Sequence, residues 1–107
     1  MYARVISADL PADKVESFVS MIRDRVIPGV QGLLGFKGGY WLVDRDTGKG
    51  LGVTLFESEE ALKASEEQAN RIREEASRAA GLAIPTFQRF EVVASIGSPV
   101  PPPRNRS

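Results

Sequence analysis

Short runs of β-branched and aromatic residues alternate along the chain with longer stretches whose apolar positions recur every three to four residues. Residues 2–8 read YARVISA, a run that predicts a strand. Asp9-Leu10-Pro11 breaks it. Pro11 suits a first helical turn, and Asp13 favours the positive end of the helix dipole. Val15, Phe18, Val19, Ile22 and Val26 then recur at helical spacing, with Lys14, Glu16, Arg23, Asp24 and Arg25 between them. This predicts an amphipathic helix with one buried stripe, ended by Pro28-Gly29. After a loop over residues 32–35, FKGGYWLVDRD predicts a second strand from Phe36 and LGVTLFE (51–57) the returning one. The polar, Gly-containing turn between them, residues 46–50, makes the pair a hairpin. Ser58 is placed as the N-cap of a second helix, with Glu59 and Glu60 in its first turn and Gly81 as its stop. The apolar stripe of that helix is Ala61, Leu62, Ala69, Ile72, Ala76 and Ala80. Small residues let a helix lie close to a sheet but bury little area at ~25 cal/mol per Å². TFQRFEVVASI (86–96) predicts the last strand.

The order strand, helix, strand, strand, helix, strand points to an α+β, ferredoxin-like βαββαβ domain over residues 1–96. It predicts a four-stranded antiparallel sheet of order 4-1-3-2 with both helices on one face. Residues 97–107, GSPVPPPRNRS, carry four prolines and almost no apolar side chain, so a flexible or extended tail is expected. The strands are apolar on both sides. Trp41 and Val43 alternate with Tyr40 and Leu42, and Val53 and Leu55 with Thr54 and Phe56. In the last strand Phe87 and Val93 alternate with Phe90, Val92 and Ala94. A sheet covered by helices on one face and wet on the other would alternate apolar with polar. The second face therefore needs a partner, and a homodimer formed sheet against sheet is expected.

Composition narrows the chemistry. The 107 residues contain neither Cys nor His. That excludes disulfides, thiolate chemistry, a Ser-His-Asp triad, a zinc site of the usual kind and a His-ligated haem. Basic and acidic residues balance at 14 each, and without Arg104 and Arg106 of the tail 12 basic face 14 acidic. A core with no surplus of cations is not expected to bind nucleic acid. No apolar stretch approaches 18 residues and the N-terminus has no signal-like apolar core, so no membrane partner and a cytoplasmic location are expected. The glycines of GLLGFKGG do not join a strand to a helix, so they make no nucleotide-binding fingerprint.

Over about residues 2–96 the chain resembles the dimeric α+β barrel superfamily, and within it the antibiotic biosynthesis monooxygenase-like domains. The resemblance rests on element order, on element lengths and on the join of third strand to second helix, LFESEEALKAS (55–65). There a strand ends in an acidic residue before a capped helix with an Ala-Leu pair. Members of this family include oxygenases that act on quinol- or anthrone-like substrates without a cofactor, haem degraders, and many proteins with no known activity. Ser65 stands where many members carry a His. With no His anywhere, haem degradation by the family's Asn/Trp/His arrangement is not implied, and no cofactor is expected.

The resemblance implies a pocket between helices and sheet, lined by residues such as Phe18, Ile22, Trp41 and Phe56, with Ser65 and Arg89 as polar candidates. Each has a plainer reading. Trp41, the only Trp, could stack on a flat substrate or could simply anchor the core or the dimer interface. Tyr40 could donate a hydrogen bond to a phenol. It adjoins Trp41 on a pleated strand, so both line one pocket only if the strand bulges near Gly38-Gly39. Arg4 and Arg89 could hold a carboxylate or enolate, or could pair with Glu91 or Glu57 across the sheet. Ser65 and Asn70 could orient a substrate, or face water as mid-helix polar residues usually do. The Glu and Arg residues of the second helix, Arg71, Arg73 and Arg78 included, read as a solvated face with Glu67–Arg71 and Glu74–Arg78 at favourable spacing. Asp44 and Asp46 read as turn formers.

No residue is singled out as catalytic. The expectation is a dimer binding a small apolar or aromatic molecule, with cofactor-independent monooxygenation of a quinol-type substrate as the chemistry the resemblance implies. The alternative is a non-enzymatic ligand-binding or protein-assembly module, in which the PVPPP run (99–103) could dock as polyproline II.

Overall fold

The computed structural model describes residues 1–83 and 85–97. Its strands are β1 (Tyr2–Asp9), β2 (Phe36–Asp44), β3 (Lys49–Phe56) and β4 (Thr86–Glu91). Between β1 and β2 run α1 (Val15–Met21) and α2 (Ile27–Gln31), and between β3 and β4 run α3 (Glu59–Ala64) and α4 (Glu66–Ala80). All strand pairs are antiparallel and the sheet order is β2-β3-β1-β4, the predicted 4-1-3-2 order read from the other edge. Register puts Arg4, Ile6, Trp41, Thr54, Phe56 and Phe87 on the helix-covered face. Phe18, Met21 and Ile22 pack there with Leu62, Ala69 and Ala76, around a Phe56 ring that has no exposed surface.

The hairpin turn is built as its residues demand. Asp44 Oδ1 accepts from the backbone N–H groups of Asp46 (2.9 Å) and Thr47 (3.3 Å). Gly48 has φ +79°, and a Cβ there would lie 2.3 Å from the Leu10 carbonyl oxygen. The Leu10 N–H donates to the Gly48 carbonyl at 2.8 Å, so the hairpin tip is tied to the end of β1. Only glycine satisfies both the backbone angle and that approach.

Both helices depart from prediction in an instructive way. The first passes through Pro28-Gly29 and ends at Gln31. A π-helical turn at Ile22–Val26 precedes the proline, and the Ile27 N–H bonds back to the Ile22 carbonyl five residues earlier. The widened turn relieves the clash a proline ring makes with the carbonyl four residues back. Arg23, Asp24 and Arg25, on this turn, are exposed. The second helix breaks at Ser65 into α3 and α4. Ser65 Oγ donates to the Leu62 carbonyl at 2.9 Å, the back-bond by which a mid-helix serine competes with the helical ladder.

The predicted termini of that second helix do form. Ser58 Oγ accepts from the Ala61 N–H at 3.1 Å. Gly81, at φ +70°, donates to the Arg78 carbonyl while Leu82 donates to that of Ser77, which is a Schellman closure. The last strand is shorter than predicted. β4 pairs only with β1, and Glu91 already faces Tyr2, so the ladder runs out there and Val92 makes one last bond to the Met1 carbonyl. The predicted tail from residue 98 onward, with its proline run, lies outside the described residues.

The second sheet face carries Tyr40, Leu42, Leu51, Val53 and Phe90. Leu42 and Phe90 are 49% and 48% exposed. Among the described residues no helix is long and apolar enough to cross a membrane.

Candidate functional site

A cavity of about 40 Å³ lies between the helices and the sheet. Its wall is mostly apolar: Ile6 from β1, Met21 and Ile22 below the first helix, Trp41 from β2, and Ala69 and Ile72 from α4. Gly52 on β3 helps form it, because a Cβ there would meet Ile6 at 2.7 Å and the Trp41 ring at 2.9 Å. A larger groove of about 530 Å³ adjoins, sharing Met21, Ser77 and Pro85 with the cavity and running out past Leu10, Phe18 and Gly81.

Two arginines reach this apolar cavity. Arg4 is only 3% exposed. Its Nη2 donates to the Leu62 carbonyl at 2.9 Å and to Ser65 Oγ at 3.3 Å. Its guanidinium lies 5.1 Å from the centre of the Phe56 ring and 5.9 Å from that of Phe87. Arg73 on α4 lies 4.7 Å from the centre of the same Phe87 ring, and its Nη2 donates to Asn70 Oδ1. The Nε of each arginine is buried with no hydrogen-bond partner. Neither forms an ion pair among the described residues. Glu66, whose charge reaches both, is itself bonded to Arg89 at 2.9 Å.

Burial is the main cause that pushes both guanidinium groups below their ordinary pKa, and the neighbouring Arg73 lowers Arg4 further. Arginine nonetheless keeps its proton under working conditions. The site thus holds two like charges against apolar surroundings, offset in part by Glu66, by Glu74 beside Arg73, and by dipoles and aromatic faces, with no direct ion pair among the described residues.

The sequence-predicted residues separate here. Ile22 and Trp41 line the cavity, and Phe18 lines the adjoining groove. Phe56 lies wholly inside the core under Arg4. Ser65 is buried, not turned to water, and holds Arg4. Arg89 is exposed and paired with Glu66 on α4, not with Glu91 or Glu57. Its register neighbour Arg4 has no carboxylate partner among the described residues, contrary to the cross-sheet pairing expected for it. Tyr40 points to the open face opposite Val53. The strand does bulge, but at Lys37, so Tyr40 and Trp41 keep opposite sides.

Arg73 corrects the reading of α4 as carrying its charges on a solvated face. It falls on the buried stripe, since positions 69, 72, 73, 76, 77 and 80 share one side of a helix. That spacing was the available signal. Glu67 and Arg71 do form the expected exposed pair, at 3.6 Å.

Known proteins sharpen the picture. No family model matches the chain. It is 31% identical over 94 residues to the uncharacterised protein Rv2557 of Mycobacterium tuberculosis, an alignment covering 88% of this chain and 42% of that protein. The chain therefore spans less than half the length of the curated relatives it matches. Among solved structures it superposes on the ActVA-Orf6 monooxygenase of Streptomyces coelicolor, held in complex with nanaomycin D, with a TM-score of 0.70 and 17% identity over 91% of each chain. The haem degrader MhuD of Mycobacterium tuberculosis, with two haems in its active site, matches with a TM-score of 0.66 and 21% identity over 91% of this chain and all of that one. The chain has the ferredoxin-like fold of the antibiotic biosynthesis monooxygenase-like, dimeric α+β barrel proteins.

Proposed function

We propose that the chain binds a small, flat, largely apolar molecule in the cavity between helices and sheet. The observation that carries this reading is the apolar wall of Ile6, Met21, Ile22 and Ile72 closed by the Trp41 ring, opening into a wider groove. Structural neighbours whose complexes hold nanaomycin D and haem support it, since both ligands are flat ring systems. The cavity has room for only a few waters as it stands, so a ring system enters by extending into the groove.

The finer reading is cofactor-independent monooxygenation of an anthrone- or quinol-like substrate. For an anthrone, a ring methylene and O₂ give a ring carbonyl and water, one oxygen atom going to each product. The residues lining the cavity include no Asp, Glu, His, Lys or Tyr. Among the described residues the cavity itself therefore offers no positioned base, and the carboxylate that lines the adjoining groove is that of Asp9. This same feature favours a second reading, in which the domain binds its ligand without chemistry.

We further propose that two copies pair through the open sheet face, where Tyr40, Leu42 and Phe90 offer the apolar contact area.

Anaerobic titration with 1,8-dihydroxyanthrone, followed by admission of air, separates the two functional readings. Binding followed by protein-dependent oxygen uptake and the anthraquinone spectrum supports the oxygenase. Binding without uptake above the blank supports the carrier. Absence of binding overturns the small-molecule reading for this ring class.

A further inference from the structure

We infer that the ligand of this cavity carries a negative charge, as an aromatic carboxylate or an acidic enol, and that Arg4 and Arg73 together receive it. The inference deepens the small-molecule reading proposed above and rests on it.

Two guanidinium groups approach one apolar cavity, and each leaves its Nε buried and unpartnered. Natural interiors satisfy buried polar groups, and a buried charge without a partner marks a place where something else binds. Carbonyl and hydroxyl oxygens from Leu62 and Ser65 take up the Nη2 of Arg4 but supply no negative charge. The Phe87 ring lies between the two arginines' reach and softens their repulsion without neutralising it. Of the carboxylates that influence them, Glu66 acts on both but is engaged by Arg89, and Glu74 acts on Arg73 without forming an ion pair with it among the described residues.

An anionic oxygen pair in the cavity would accept from both Nε groups and cancel the surplus charge. Guanidinium is suited to that geometry, because its donors are planar and match a carboxylate or an enolate. Ser77, buried in the same wall, adds a hydroxyl donor, while the Thr54 hydroxyl there donates to the Arg4 backbone carbonyl. The rest of the wall is apolar, so the body of the ligand is a hydrocarbon ring and not a sugar or a phosphate ester.

The test compares 2-naphthoate with 2-naphthamide, which have the same shape but differ in charge. Affinity is read by calorimetry, and the site by the single Trp41 indole N–H resonance of the full chain. The acid should bind at least tenfold tighter than the amide and shift the indole signal. Arg73→Gln should bring the two affinities within about twofold, while Arg73→Lys, which keeps a charge, should retain part of the preference. Equal binding of acid and amide with an indole shift overturns the anion inference and leaves the cavity reading standing. Acid binding that ignores Arg73→Gln, or that leaves Trp41 unmoved, places the anion elsewhere and overturns the inference. Failure of both probes to bind removes the cavity reading and the inference together.

Discussion

Arg73 shows how one side chain can serve binding at the expense of stability. Its aliphatic stem fills space on the buried stripe of α4, while its charge forms no ion pair among the described residues. Removing a half-buried charge that has no ion partner among the described residues relieves its desolvation cost, while an apolar residue of similar length keeps the packing of the stem. Arg73→Met should therefore raise the unfolding free energy of the free protein by about 1 kcal/mol in urea titration, and lose preference for the anionic probe. A lower stability would mean that the Asn70 and Phe87 contacts outweigh the desolvation. Gly52 works in the opposite sense. Gly52→Ala puts a methyl group within 3 Å of Ile6 and Trp41. It should cost about 1–3 kcal/mol of stability through overpacking and weaken ligand binding, measured by the same titration and by calorimetry. Unchanged binding would show that the ligand does not use the β3 wall.

Among the elements, the break between α3 and α4 matters most to the site. It turns Ser65 inward, where the hydroxyl holds Arg4 while bonding back to Leu62. The helix that carries these groups depends on its ends. Ser58→Ala removes the acceptor for the Ala61 N–H and should cost about 1 kcal/mol, seen as a lower urea midpoint with an unchanged slope. A change in slope instead would point to a looser native or denatured state, not to loss of a cap. Ser58 and Gly81 were legible in the sequence because capping is local chemistry. The Pro28-Gly29 stop was misread because the compensation, a π-helical turn, sits one turn upstream and leaves no mark in composition.

At the scale of the whole molecule, helices cover one sheet face and the other is left with exposed Leu42 and Phe90. If a second copy covers that face, Leu42→Asp should shift the sedimentation coefficient from dimer to monomer while far-ultraviolet circular dichroism stays native. A wild-type chain that sediments as a monomer would end the sheet-to-sheet proposal. The two-sided apolar alternation of the strands was readable directly, since the pleat places neighbours on opposite faces whatever the fold around them.

Element order, hairpin, caps and face alternation are properties of short stretches, and the sequence by itself determined them. Sheet order followed from the handedness of two strand–helix–strand units, which sequence order already contains. The site was different. Trp41 and Ile22 could be placed in a pocket, but Phe56 and Ser65 turned out to be core and support, and Arg89 a surface ion pair. The pairing of Arg4 with Arg73 joins residues far apart in the chain, each of which has nearer carboxylates in sequence. Only the tertiary structure decided that neither arginine forms an ion pair among the described residues, leaving a buried and a half-buried guanidinium on the wall of one cavity. Charge partnership depends on distance and dielectric in three dimensions, and no spacing along a chain encodes either.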